Sequence, residues 1–218
     1  MPSSPARRLL ADRAYESLRT SLQSGAYPPG TFLSERQLAL RLGMSKTPLK
    51  SALVRLEAEG FLRISPQQGI VVREPSVQEV GDLFDLREAI ETFVAQKLAG
   101  RIVPADALRL RANLKEQAAA AKNRDAAEAT RLDTEFHMML CGFLGNREIL
   151  QSLSRMRDKL NMLILGNLTR VPDRMATSYR EHAAIAAALL RGRAPRAVEL
   201  VRRHLDYGRN LVLGRMRG

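Results

Sequence analysis

Cysteine is almost missing from this chain: Cys141 stands alone. It has no partner for an internal disulfide, which fits a reducing compartment. No apolar run approaches the roughly 20 residues that span a bilayer. The opening stretch, MPSSPARRLLADRAYESL, becomes charged within a few residues and lacks the apolar core of a secretory signal. The expectation is a cytoplasmic protein with no membrane partner. HExxH, a nucleophile motif and a phosphate-binding loop are also missing, which argues against the common hydrolase and nucleotide chemistries. Histidine is scarce, with only His137, His182 and His204. Acidic residues are outnumbered, 23 against 35 Lys and Arg, for a net charge of +12. A basic chain attracts polyanions, of which nucleic acid is the commonest. The charge does not locate a binding surface, because residues 1–75 carry +5 and the rest +7. Apolar residues make up 45% of the 218, enough to exclude disorder and to build one large domain or two small ones.

The N-terminal third carries the most specific pattern. Residues 7–24 place Leu10, Ala14, Leu18 and Leu22 at helical spacing, and the Gly and Pro residues of GAYPPGTFL end that helix. Ser34 and Gln37 form a capping-box pattern for a short helix ending near Leu42-Gly43. Ser45 or Thr47 caps a second, running to Glu59 and stopping at Gly60. Two short helices joined by a tight glycine turn predict a helix-turn-helix. FLRIS, PQQG and IVVRE then read as strand, turn, strand, the wing of a winged helix. In such a unit the start of the second helix enters the major groove. Its polar residues here are Ser45, Lys46, Thr47 and Lys50. Arg36 reaches phosphate or base, and Gln67, Gln68 and Gly69 form the wing tip.

The stretch from Gly25 to Val72 resembles the DNA-binding domain of GntR-family transcription regulators. The matching features are PG-x-x-L-x-E, LA-x-x-LG-x-S, T-P-x-x-x-AL, L-E-x-E-G and the wing-tip glycine. The resemblance implies a homodimer that reads a short palindrome in double-stranded DNA. Where that family usually has arginines, this chain has Lys46 and Lys50. Lysine lacks the planar fork that grips guanine twice, so the operator sequence is less determined than DNA binding itself.

Residues 76–218 hold no convincing strand. Helices are predicted over 76–99, 104–122, 125–144, 147–168, from Pro172 to Arg191-Gly192, and from Pro195 toward the C-terminus. Short connections between them predict an antiparallel bundle. EQAAAAK and AAIAAALL are read as close-packing surfaces only. Asp133 and His137 are four apart and share one helix face, whereas His182 and His204 fall on two further helices. A carboxylate with imidazoles suits Zn, Mn, Ni or Fe. Spacing alone leaves open whether the four converge or are ordinary core and surface residues.

This second region looks like the FCD-type effector domain found behind GntR-type winged helices, in the FadR-like subfamily. Its motif is D-x-x-x-H on one helix, then E-H, then a histidine about 22 positions later, here Asp133, His137, His182 and His204. The resemblance implies that these four hold a divalent metal, Zn first and then Ni, Mn or Fe. It also implies a small carboxylate effector, with Arg87 in FDLREAIE facing the cavity. The alternative for Arg87 is a solvated or salt-bridged side chain beside Glu88 and Glu91. Asn161, on the flank of the stripe Leu153, Met156, Leu160 and Ile164, is a second effector candidate. Glu135 and Glu181 adjoin ligands in sequence but point roughly 100° away on a helix, so they are read as supporting or surface groups.

The fold expected is mainly α. A winged helix with a β-hairpin wing occupies 1–75, and an all-helical FCD-type bundle for ligand binding and dimerisation occupies 76–218. The function expected is a metal-containing regulator, not an enzyme, whose operator affinity changes with a small organic acid. Two alternatives stand beside it: a pure metal sensor, and a mononuclear metal hydrolase on the same four ligands.

Overall fold

The computed structural model describes residues 5–65, 69–168, 171 and 173–216; for 5–8, 157, 158, 162, 163, 165–168 and 215 the description is of backbone only. The chain divides into two compact units, Met1–Pro75 and Ser76–Gly218.

In the first unit, α1 (Pro5–Gln23) precedes β1 (Phe32–Leu33), α2 (Glu35–Leu42), α3 (Lys46–Ala58), β2 (Leu62–Ser65) and β3 (Gly69–Val72). Ala14, Leu18 and Leu22 of α1 meet Leu49, Leu53 and Leu56 of α3 in an apolar core. A polar clasp fixes the same pair of helices. Tyr15 donates to Glu59 at 2.7 Å, and the Arg55 guanidinium lies 3.6 Å from the Tyr15 ring centre. Gly43 ends α2 at φ 59°, a left-handed turn that lets α3 follow after two residues.

The structure corrects one local expectation here and extends another. Ser34 occupies the cap position of α2, but its hydroxyl makes no cap bond, so the box with Gln37 is not formed; the first-turn carboxylate of Glu35 instead places negative charge at the helix start. The wing is also more than a hairpin. β1 pairs with β3, Phe32 opposite Val71 and Leu33 opposite Ile70, giving a three-stranded antiparallel sheet in the order β1-β3-β2. A two-residue strand is too short to leave an alternation in the sequence.

The second unit consists of α4 (Val77–Leu98), α5 (Pro104–Asn123), α6 (Ala126–Phe143), α7 (Arg147–Leu168), α8 (Asp173–Leu190) and α9 (Ala194–Met216). Ser76 caps α4 with a complete box to Glu79, the Ser-x-x-Glu pattern of EPSVQEV. α4 runs along α9, α6 packs on α7 and α5, and α8 sits against α5 and α9. The core includes Val80, Phe84 and Val94, with Leu110, Phe136, Leu160, Ile185, Leu189 and Leu205 facing them. Full burial of each leucine contributes about 1.5–3 kcal/mol. Gly100 and Gly192 allow the ends of α4 and α8 to approach closely: a Cβ on Gly100 would lie 3.3 Å from the Gly192 Cα. Among the described residues no helix is long and apolar enough to cross a membrane.

Candidate metal centre and nucleic-acid interface

Asp133 and His137 project from successive turns of α6 into the bundle, where His182 of α8 and His204 of α9 meet them. All four are buried, and one ligand atom from each lies within 4.8 Å of the others. The spacings include 3.2 Å between His182 Nε2 and His204 Nε2, 3.6 Å from His182 Nε2 to Asp133 Oδ1, and 4.0 Å from His137 Nε2 to Asp133 Oδ2. Donors held about 2 Å from one ion sit roughly 3 to 4 Å apart.

The other face of each imidazole decides its chemistry. His137 Nδ1 lies 2.6 Å from Glu91 Oε2, and His204 Nδ1 lies 2.7 Å from Glu181 Oε2. Burial alone would raise the Glu91 carboxyl, but Arg87 and His137 outweigh it and hold it at about 2. Glu181 is likewise lowered, its burial outweighed by His204 and Arg174. An ionised carboxylate only accepts, so both Nδ1 atoms carry hydrogen.

His182 is fixed by a neutral chain. Asn113 Nδ2 donates to the Leu132 carbonyl at 3.2 Å, Gln117 Nε2 donates to Asn113 Oδ1 at 2.7 Å, and Gln117 Oε1 lies 2.8 Å from His182 Nδ1. The carbonyl at the far end accepts only, so the direction of every bond in the chain is set and His182 Nδ1 donates.

All three Nε2 lone pairs therefore face inward beside a carboxylate. Two lone pairs 3.2 Å apart repel, and His137 Nε2 is buried without a hydrogen-bond partner. A divalent cation among them removes both defects, so the residues fit the metal that the FCD resemblance implies. Burial first, then His204 and His137, pushes the His182 pKa well below its usual value; burial likewise lowers that of His204. Neutral imidazole is the ligating form. The ring of Phe136 stacks on His182 at 4.2 Å, and Ser178 donates to Asp133 at 3.1 Å.

Glu91, Gln117, Arg174 and Ser178 were not singled out from the sequence. Gln117 lies in EQAAAAK, so that stretch does more than pack closely. Glu181 supports His204, whereas Glu135 is exposed and pairs with Arg131 at 2.8 Å. Arg87 is buried and does form an ion pair with Glu91, Nε to Oε1 at 2.5 Å, and it also lines the cavity beside the donor cluster. Asn161 lines the same cavity and accepts from the Thr134 hydroxyl.

In the first unit, Ser45, Lys46, Thr47 and Lys50 are exposed at the start of α3, with Arg36 exposed on α2 and Gly69 on β3. Among the described residues no ion pair neutralises Arg36, Lys46 or Lys50. Gln67 and Gln68 lie outside the described residues.

A winged helix followed by a helical bundle with a buried His/Asp cluster is the architecture of a transcription regulator. The FCD domain matches residues 82–207, and the gntR family of bacterial regulatory proteins matches residues 10–72. The chain belongs to the gntR-family regulators that carry an FCD domain. It is 32% identical over 126 residues to the HTH-type transcriptional repressor RspR of Escherichia coli K12, a match covering 58% of this chain and 55% of that protein. It is 31% identical over 192 residues to an uncharacterized HTH-type transcriptional regulator in an unstable DNA locus of Streptomyces ambofaciens, covering 88% and 80%. The fold is similar to that of E. coli McbR/YncC, with a TM-score of 0.82 over 100% of both chains at 19% identity. The named relatives are regulators rather than enzymes.

Proposed function

We propose that this protein is a DNA-binding transcription regulator whose operator affinity is set by a small organic acid bound beside a divalent metal. The metal is held by Asp133, His137, His182 and His204, with Zn first in suitability and Ni, Mn or Fe behind it. The observation that carries this reading is the inward direction of all three Nε2 lone pairs, each enforced by an acceptor at Nδ1. A metal there would act as a Lewis acid toward a ligand oxygen, and Arg87 and Asn161 line the space beside the four residues that would hold it.

DNA contact falls to Arg36, Ser45, Lys46, Thr47, Lys50, Gln68 and Gly69. One recognition helix reads only a few base pairs, so a homodimer on a palindromic duplex is the working assembly. The cell compartment consistent with this is the cytoplasm.

The test is operator affinity. Duplexes selected from a random library by the purified protein are titrated with metal-free protein, metal-loaded protein, and metal-loaded protein plus small carboxylates. Affinity that changes with acid only in the metal-loaded form is the expected result. Affinity that follows metal alone identifies a metal sensor. Turnover of small esters or amides by the metal-loaded protein points to the hydrolase.

A further inference from the structure

The cavity beside the donor cluster has two lobes that share Arg87, Asp133 and Ile164. Counting space open to solvent, one spans about 250 Å³ and includes Thr134 and Asn161, and the other spans about 420 Å³ and includes Arg174 and Ser178. Arg87 lines both lobes and Arg174, also buried, lines one of them. They are built alike. Arg87 pairs with Glu91, which holds His137, and Arg174 pairs with Glu181, which holds His204.

The two differ in how well they are satisfied. Arg87 Nε makes an aligned bond to Glu91. Arg174 is 5% exposed, and its Nη1 lies 2.7 Å from Glu181 Oε2, an ion-pair distance without hydrogen-bond alignment, so this buried N–H has no acceptor. Its Nη2 lies 3.4 Å from His204 Nδ1, which already donates to Glu181 and has no lone pair to offer. The Tyr207 ring covers the guanidinium at 4.4 Å without accepting in its plane. A buried charged donor left unsatisfied is costly, and an anionic group entering the lobe relieves it.

Charge points the same way. Arg87 and Arg174 against Glu91, Asp133 and Glu181 leave one net negative charge, which a divalent ion turns to one positive. We propose that Arg174 forms a second anion subsite, so that the effector is a short acid with two anionic groups. One group sits at the metal and Arg87, the other at Arg174. Phe84, Leu205 and Val212 form the apolar wall of the lobe that holds Arg174. This rests on the acid-effector reading above.

Malate and 2-hydroxybutyrate test it, because they share a 2-hydroxy acid frame and differ by a carboxylate in place of a methyl. Calorimetric titration uses the full-length, metal-loaded protein, with metal content measured for every sample. The expected result is a preference for malate of about tenfold or more, the scale of one charge-assisted hydrogen bond. Arg174→Met brings the ratio to about one, whatever happens to each affinity separately. Arg174→Lys keeps charge but not the fork and gives an intermediate ratio; it carries the comparison if the methionine variant loses its metal. Equal affinities in the wild type, or a malate preference that survives in the variants as simple metal chelation would, overturn the subsite. If the metal-loaded wild type binds neither acid, the acid-effector reading itself fails and the subsite with it.

Discussion

The two units bury different things. Apart from Tyr15, whose hydroxyl bonds Glu59, every buried polar or charged side chain among the described residues, from Arg87 through His204, belongs to the second unit. The core of the first is apolar, and its chemistry lies on the outside, where Lys46 and Lys50 stand unpaired. A surface that meets a charged rod must stay hydrated until contact, so its side chains cost the fold little. The site proposed here for a cation and a small anion needs water excluded, so its polar groups are buried and each must be satisfied. The second unit therefore pays in network complexity for what the first obtains from exposure.

The largest separation between the units comes from Phe136→Ala. Phe136 is fully buried and stacked on His182, so the loss is about 3–5 kcal/mol of bundle stability. Amide exchange in α1 to α3 stays unchanged if the first unit is held by its own core; a matching loss of protection there breaks the comparison. Metal comes next. At about 100 times the dissociation constant it adds roughly 2.7 kcal/mol, seen as a rise in Tm that a chelator reverses. His182→Ala removes most of that gain and leaves part of the DNA binding. An unchanged Tm, with no metal in the purified protein, makes the histidines ordinary core residues.

Acid is a second way to remove the metal. The folded pKa values of His182 and His204 lie below the unfolded value of 6.5, so the unfolded chain takes up these protons first. Stability is thus complete above that pH and falls as pH drops below it toward the folded values. The fall is steeper with metal bound, because protonated imidazole cannot ligate. Glu91, at about 2, stays ionised throughout that window, so the loss reports imidazoles. Melting curves between pH 8 and pH 5, with and without metal, measure it.

Gln117→Leu has a smaller effect. It removes the acceptor that sets the His182 tautomer and lowers metal affinity about 10- to 100-fold, readable by competition with a chelating dye. The smallest effect belongs to the surface. Lys46→Ala and Lys50→Ala each weaken operator binding and lower its salt slope by about one unit if they touch phosphate, whereas Lys122→Ala on α5 leaves both unchanged. Unchanged binding in both lysine variants removes the assignment of α3 as the recognition helix.

The sequence by itself determined what is local. Caps, glycine stops and periods of 3.6 and 2 place the helices and the hairpin, because each depends on residues within a few positions of one another. Asp133 and His137 share a face for the same reason, and the family motif extends that set to His182 and His204. Only the tertiary structure decided which groups complete each histidine. Glu91 is 46 residues from His137, and Gln117 is 65 from His182. The helical period places Glu91 in register with Val80, Phe84, Val94 and Leu98, and Gln117 with Leu110 and Ala120; which histidine each one meets is decided by the packing of α4, α5 and α8 around α6. The direction of each imidazole, and with it the ability to take a cation, is a property of that packing, since a ring nitrogen's proton is set by whatever lies across from it.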